Sequence, residues 1–201
     1  MANRVSRREF LHRAGASGLS LSLGGCLWGT RALAQAPNSR LNLGFIGVGG
    51  MGMAHLRGQV GNPRAQVIAV CDVDANHLAN AVGVTRNEAR GYRDYRELLA
   101  RDDLDAVCIS TPDHWHGLNT IHACAAGKDV YVEKPMGHTI AEGRAMVEAA
   151  RRHGRVVQVG TMQRASGHFR HVVELVRSGR LGEVKQARTW FGPGGGGTWV
   201  P

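Results

Sequence analysis

The sequence predicts an α/β fold built on a doubly wound parallel sheet. Apolar runs long enough for a strand alternate along the chain with segments whose apolar residues recur at helical spacing. The strand-length runs are almost continuously apolar, which is typical of strands buried on both faces between layers of helices. Hydrophobic residues make up 43% of the 201 residues and charged residues 20%, a composition that supports a packed core.

Six segments have the length and composition of strands. They cover residues 41–47, 66–72, 91–92, 106–111, 129–133 and 156–160, and the third is only a brief extended piece. Parallel neighbours in a sheet need long crossover connections, which are usually helices. The segments between these strands are therefore expected to cover the two faces of the sheet.

Helices are predicted between the strands from apolar spacing and from capping residues. They cover residues 50–60, a short stretch after residue 74, and residues 95–100, 115–125, 139–153 and 166–178. Asp74 is the expected N-cap of the second helix, and Asp113 is the expected N-cap of the fourth. The fifth begins with Thr139 and Glu142 in a capping box and stops at Gly154. An extended segment is expected over 183–190.

A glycine-rich turn joins the first strand to the first helix. It reads Gly47, Val48, Gly49, Gly50, Met51 and Gly52, which satisfies G-x-G-x-x-G. A turn of this kind between a strand and a helix lets backbone amides and the helix N-terminus hold a pyrophosphate. The alternative is a glycine-rich turn used only for packing. The context favours a dinucleotide-binding Rossmann domain, which we place over residues 37–161.

Asp72 ends the second strand, twenty residues past Gly52. A carboxylate at this position accepts hydrogen bonds from the adenosine ribose hydroxyls and would repel a 2′-phosphate. No arginine or lysine occurs in the four residues that follow it. We therefore predict NAD(H) as the cofactor in preference to NADP(H), although another loop could supply a cation.

Polar residues follow three further strands. The first stretch, 110–116, contains Thr111, Pro112 and His116. The second, 133–135, contains Glu133 and Lys134, and the third, 160–164, contains Gln163. In sheets of this type, ligands bind outside the carboxyl ends of the strands. These loops are expected to face the nicotinamide end of the cofactor.

Two histidines in the first of these loops raise the alternative of a metal site. His114 and His116 are two positions apart, and residues two apart on a helix point away from each other. We therefore predict no metal. One histidine is expected at the site, and the other is expected to be solvated or packed.

Lys134 stands out because the chain has 22 arginines and only three lysines. Arginine does not release its proton near neutral pH, whereas lysine can when its surroundings lower its pKa. A partly desolvated lysine beside a reacting hydroxyl could polarise the oxygen and relay its proton during hydride transfer. The alternative is a lysine whose stem packs on the sheet edge with its head in water.

The net charge of +9 does not indicate nucleic-acid binding. Part of the excess lies in the first 36 residues, and the rest is scattered, with no basic stripe interleaved with aromatic residues. Three of the four cysteines, at 71, 108 and 124, fall inside predicted strands or a helix. They are expected to be buried apolar residues without disulfides.

The first 36 residues have the layout of a signal peptide. Arg7 and Arg8 are followed by Phe-Leu, a mildly apolar run and a small-x-small cleavage site at 32–34. The paired arginines resemble a twin-arginine export signal, which implies the export machinery as partner and a periplasmic or extracytoplasmic location. An amphipathic terminal helix is one alternative, and lipid anchoring at Cys26 is another; neither is favoured.

The motifs STPDHWH, AGKDVYVEKP and VVQVGTMQR, with the glycine turn upstream, resemble the Gfo/Idh/MocA oxidoreductases. The resemblance covers roughly residues 41–190. It implies that Lys134 is the active-site lysine, that Pro135 follows a cis bond, and that His116 is the histidine of the family's catalytic loop. It also implies cofactor contacts at Thr111 and Glu133. Asp113 departs from the family's usual Asn.

The same resemblance implies a second, α+β domain that binds substrate and mediates oligomers, and residues 162–201 are predicted to be its start. By this reading the protein is an exported NAD-dependent oxidoreductase acting on a sugar, cyclitol or related polyol, and a homo-oligomer when full length. Two alternatives are an NAD-dependent glycosidase that oxidises its sugar transiently and a non-catalytic dinucleotide-binding module. The substrate itself is not predicted.

Overall fold

The computed structural model describes residues 40–188, which contain six parallel strands in one sheet. The strands are β1 Leu41–Ile46, β2 Ala65–Cys71, β3 Arg90–Tyr92, β4 Ala106–Ile109, β5 Asp129–Val132 and β6 Val157–Val159. The helices are α1 Gly50–Gln59, α2 Ala75–Val84, α3 Tyr95–Leu99, α4 His116–Ala125, α5 Ile140–His153 and α6 Gly167–Arg177. Short 3-10 turns cover Asp113–Trp115 and Met162–Ala165. The predicted signal peptide lies outside the described residues.

The strand order is β3-β2-β1-β4-β5-β6, and every neighbouring pair is parallel. The chain moves outward from β1 in one direction and then restarts at β4 in the other, so the order reverses between β1 and β4. Loops at such a reversal diverge and leave a crevice at the carboxyl ends of the strands. The predicted doubly wound α/β fold is confirmed.

The core has two parts because alternate strand residues point to opposite faces of the sheet. Phe45 and Val70 pack with Leu56 of α1 and Ala81 of α2 in one cluster. The other cluster contains Ile46, Cys71 and Ile109, together with residues of α3, α4 and α5. Each face of the sheet is therefore covered by helices, which accounts for the continuously apolar strands.

Two of the predicted helix starts are confirmed by their caps. The Asp74 carboxylate accepts the backbone N–H groups of Asn76 and His77, and these bonds hold the pKa of Asp74 below its usual value. Thr139 and Glu142 form the complete capping box of α5. Asp113 does not cap α4, because it opens the 3-10 turn that precedes the helix and its carboxylate accepts the N–H of His114.

Beyond β6 the chain adds α6, and none of the residues of α6 is buried. Its large apolar side chains Phe169, Val172, Val173 and Val176 are all exposed. Residues 183–188 form neither helix nor strand, so the part of the predicted extended segment that is described is not paired to the sheet. The domain boundary at residue 161 stays a prediction. Within residues 40–188, every helix falls short of the length and apolarity needed to cross a membrane.

The three cysteines of the described chain are expected to be inert in the native protein. Burial raises the pKa of Cys71 to about 12 and that of Cys108 to about 11, and it also raises the pKa of Cys124. Because the thiolate is the reactive form, labelling by a disulfide reagent at pH 8 should be at least about 100-fold slower than in guanidinium. The measurement uses a Cys26→Ser background. A fast reaction of any thiol before unfolding would contradict this prediction.

Candidate functional site

The glycine turn after β1 has two positions that only glycine can occupy. Gly47 has φ of +81°, and a Cβ at this position would lie 2.6 Å from the backbone nitrogen of Thr111. A Cβ on Gly52 would overlap the carbonyl oxygen of Gly47. The turn is therefore tightly packed against both the start of α1 and the loop after β4.

The N-terminus of α1 is suited to an anion. Its N-cap is Gly49, no side chain caps its first turn, and the first turn contains no acidic residue. A Cβ on Gly50 would meet nothing within 4 Å, and Met51 is exposed, so there is open space beside this end of the helix. Uncapped amides and the helix dipole together favour a phosphate group. The turn thus fits the diphosphate of a dinucleotide.

Asp72 follows β2 and is fixed to the glycine turn. One carboxylate oxygen accepts the N–H of Val48 at 2.8 Å, and the other accepts the N–H of Asp74 at 2.9 Å. The first oxygen also lies 3.7 Å from Nδ1 of His77, which is half exposed. The carboxylate is acceptor-only when ionised and keeps further lone pairs for ribose hydroxyls. The structure thus brings Asp72 and the glycine turn together.

His116 is buried, with 2% of its surface exposed. Its Nδ1 lies 2.6 Å from the carbonyl oxygen of Pro135, and its Nε2 lies 2.8 Å from that of Thr111. The ring therefore joins the loop after β4 to the loop after β5, and neither nitrogen is left to face a substrate. The catalytic role predicted for His116 stays a prediction, and this geometry favours a positioning role.

Glu133 follows β5, and its carboxylate is buried. Its Oε1 lies 2.7 Å from Nε2 of His55 in α1, and its Oε2 accepts the N–H of Lys134 at 3.0 Å. A Cβ on Gly160 would lie 2.8 Å from both Oε1 and the hydroxyl of Tyr131. Burial, followed by the charge of Glu133, raises the pKa of Tyr131. Glu133 is thus a junction between α1, β5 and the end of β6.

The three lysines have three different environments. Lys128 is buried and donates to the carbonyl oxygens of Arg101 and Leu104, whereas Lys185 is exposed and paired with Glu183. Lys134 is exposed, follows β5 directly, and begins the cis peptide bond to Pro135. Among residues 40–188, no group bonds to its Nζ. The desolvation expected for Lys134 is therefore not supplied by these residues, and a ligand covering the edge would have to supply it.

The remaining predicted residues lie at the same edge of the sheet but are less connected. Pro112 precedes the 3-10 turn after β4, and Gln163 lies in the exposed 3-10 turn after β6. His114 is exposed, whereas His116 is buried and both of its ring nitrogens bond to backbone carbonyl groups. Among residues 40–188, no three His, Cys, Asp or Glu side chains converge as metal ligands would.

Residues 41–161 match the model of the GFO_IDH_MocA family, which is described as an oxidoreductase family with an NAD-binding Rossmann fold. The chain belongs to the Gfo/Idh/MocA family. The match covers the six strands and the glycine turn, so NAD is the cofactor of this fold. The resemblance drawn from the sequence motifs is confirmed.

Individual Gfo/Idh/MocA proteins are similar over the same region. Inositol 2-dehydrogenase of Salmonella typhimurium is 32% identical over 145 residues, which are 71% of this chain and 43% of the relative. Glycosyl hydrolase family 109 protein 1 of Shewanella sp. MR-4 is 30% identical over an alignment of 207 positions, which covers 90% of this chain and 44% of the relative. This chain therefore spans less than half the length of these relatives.

A solved structure supports the cofactor assignment. Scyllo-inositol dehydrogenase of Lactobacillus casei, crystallised with NAD(H) and scyllo-inositol, superposes with a TM-score of 0.64 at 26% identity. The superposition covers 72% of this chain and 43% of that one. The fold described here is therefore one that binds NAD(H) in a relative.

His55, Tyr131 and Gly160 are parts of the site that the sequence patterns did not reveal. One signal for His55 was present, because it lies three residues after Gly52 on the helix face that packs towards the sheet. A polar residue on such a face needs a partner. Nothing in the sequence indicated that the partner is Glu133, 78 positions away.

Proposed function

We propose that this chain is the cofactor-binding part of an NAD-dependent oxidoreductase that acts on a hydroxyl of a sugar, cyclitol or related polyol. The observation that carries the proposal is the amine of Lys134, which has no partner within the described residues 40–188 and lies at the same edge of the sheet as the turn fitted for a diphosphate. The inositol dehydrogenases among the relatives support the substrate class.

The cofactor would be held by groups arranged one after another along this edge of the sheet. The amides at Gly50 and Met51 would bind the diphosphate, and Asp72 would accept the adenosine ribose hydroxyls. Thr111 and Glu133 would lie nearer the nicotinamide. NAD, when bound, supplies the group that accepts or donates the hydride.

Lys134 would handle the proton that accompanies the hydride. The substrate hydroxyl must lose its proton as its carbon is oxidised, and an amine at Nζ can take that proton or return it in the reverse direction. Glu133 holds the backbone N–H of Lys134, so the stem of the lysine starts from a fixed point. An arginine at this position would keep its proton.

The proposal is tested by assaying the product of the complete gene with a panel of sugars, cyclitols and polyols. We expect NAD-dependent absorbance at the NADH wavelength with at least one of them. NAD binding without NADH formation or product release from any compound would instead support a non-catalytic dinucleotide-binding module.

A second candidate function is a glycosidase that oxidises its sugar transiently and regenerates NAD in place. It is favoured by the similarity to a glycosyl hydrolase family 109 protein over 90% of this chain. The two functions differ in their products. Release of an aglycone without net NADH would support the glycosidase, and net NADH without aglycone release would support the dehydrogenase.

NAD(H) should bind more tightly than NADP(H). Asp72 would face the 2′-phosphate of NADP(H) with a negative charge, so NADP(H) affinity is expected to be at least about tenfold weaker. Comparative calorimetric titration measures this difference. Asp72→Ala should reduce this difference in affinity. Asp102→Ala should leave the difference unchanged, because Asp102 is exposed at the opposite edge of the sheet. Tighter binding of NADP(H) by the unaltered protein would contradict the assignment.

We also propose that the protein is exported through the twin-arginine route and that the full-length form is a homo-oligomer. The paired arginines at 7 and 8 and the site at 32–34 support export. A mature chain that begins near Gln35 by mass spectrometry is expected. Retention of the first 36 residues in a cytoplasmic fraction would argue against it.

A further inference from the structure

A polar pair lies between α1 and the end of β5, underneath the proposed site. Nε2 of His55 is 2.7 Å from Oε1 of Glu133, and the side chains are 20% and 6% exposed. An ionised carboxylate only accepts hydrogen bonds, so Nε2 must carry the proton and donate it. Charge-assisted bonds of this length between poorly hydrated groups are among the stronger hydrogen bonds in proteins.

The surroundings leave the pair little freedom to move. The edge of the His55 ring meets the Tyr131 ring, with centroids 5.3 Å apart and planes at 70°. Gly160 lies so close to the Glu133 carboxylate and the Tyr131 hydroxyl that a methyl group would not fit between them. Gly160 therefore confines the carboxylate on one side, and His55, itself packed against Tyr131, provides its hydrogen bond from another.

The pair connects the two ends of the site. His55 belongs to α1, whose first amides are fitted for the diphosphate, whereas Glu133 binds the N–H of Lys134 through its other oxygen. A continuous series of contacts therefore runs from the diphosphate helix through His55 and Glu133 to the backbone of the proposed catalytic lysine.

We propose that His55 is a positioning residue: it holds the Glu133 carboxylate, which in turn fixes the backbone of Lys134 relative to the helix that binds the diphosphate. His55 touches neither the substrate nor the cofactor in this proposal. The consequence for turnover rests on the proposed oxidoreductase function, whereas the consequence for the Lys134 backbone does not.

The test compares His55→Leu with His55→Gln. Leucine removes the hydrogen-bond donor but still fills much of the space of the histidine ring. The amide of glutamine, in contrast, can place a donor close to the position of Nε2. His171→Leu is the matched control, because His171 is exposed on α6, away from the sheet.

The first readout is amide hydrogen exchange at Lys134, which does not require activity. In His55→Leu, exchange at this amide is expected to be at least about tenfold faster, because the freed Glu133 no longer holds it. His55→Gln should restore exchange to within about threefold of the unaltered protein, and His171→Leu should not change it. A merely structural histidine would instead change exchange throughout α1 and would not be rescued by glutamine.

The second readout is kinetic. His55→Leu is expected to lower kcat about tenfold with a smaller change in KM. In a protein that already carries Glu133→Gln, adding His55→Leu should lower kcat by a much smaller factor.

Unchanged Lys134 exchange in folded His55→Leu, or additive effects of the two substitutions on kcat, would overturn the inference. If His55→Leu does not fold, His55→Met, which also lacks a donor, takes its place, and unchanged exchange at Lys134 in that variant overturns the inference. Absence of any turnover in the unaltered protein would count against the proposed function, while the exchange result would still decide the role of His55.

Discussion

Lys134→Met is expected to lower kcat by about 10²- to 10⁴-fold while the dissociation constant of NAD changes by no more than about twofold. Methionine keeps the length and apolar stem of lysine but cannot take or give a proton. The amine has no partner among residues 40–188, so its removal breaks no structural contact there. Steady-state kinetics with the best polyol of the panel and calorimetric titration with NAD measure the two quantities.

Two further lysine variants sharpen this prediction. Lys185→Met is the matched control, because Lys185 is exposed and pairs with the exposed Glu183, and this variant should retain the unaltered kcat. Lys134→Arg should remain nearly as slow as Lys134→Met, because arginine keeps the charge but not the proton exchange. Full turnover in Lys134→Met would remove the lysine from the mechanism. Full turnover in Lys134→Arg would show that charge alone is needed.

Gly52→Ala is expected to weaken NAD binding by about 100-fold and to lower the free energy of unfolding by about 2–4 kcal/mol. The added methyl group would overlap the carbonyl oxygen of Gly47, which is backbone and cannot move aside as a flexible side chain could. The turn and the start of α1 would have to separate, and the amides that face the diphosphate would move with them. Calorimetry and denaturant titration measure the two effects.

The matched control for Gly52→Ala lies in the same helix. A Cβ on Gly58 would meet nothing within 4 Å, so Gly58→Ala should leave NAD binding unchanged and stabilise the protein by about 0.5–1 kcal/mol through helix propensity. NAD binding by Gly52→Ala as tight as that of Gly58→Ala would show that the close approach of turn and helix is not needed for the cofactor.

The fold could be predicted from the sequence because its signals are local. Continuous apolar strands, the cap at Asp74 and the capping box at Thr139 each lie within a few residues and appear in the structure where they were expected. Strand ends were less accurate. The strand predicted over 156–160 covers only Val157–Val159, although the carbonyl of Val156 and the N–H of Gly160 also bond to β5.

The site could be predicted only in part because its most important contacts join distant residues. Glycine positions and Asp72 follow from a pattern of known spacing, but the bond between His55 and Glu133 spans 78 positions and has no local signature. For His116, the sequence could predict the position of the residue but not the orientation of its side chain. Its place in the loop after β4 was predictable, but the orientation of its ring depends on two carbonyl groups supplied by separate loops.

The backbone of Thr111 is held at two points, with Gly47 packed against its nitrogen and His116 bonded to its carbonyl oxygen. Substitutions at Gly47 and His116 would therefore act through one shared element, although the residues belong to different loops. A double-mutant cycle should give a combined loss of NAD affinity smaller than the sum of the single losses. Such a result would mean, in thermodynamic terms, that the diphosphate and nicotinamide ends of the cofactor are not recognised independently.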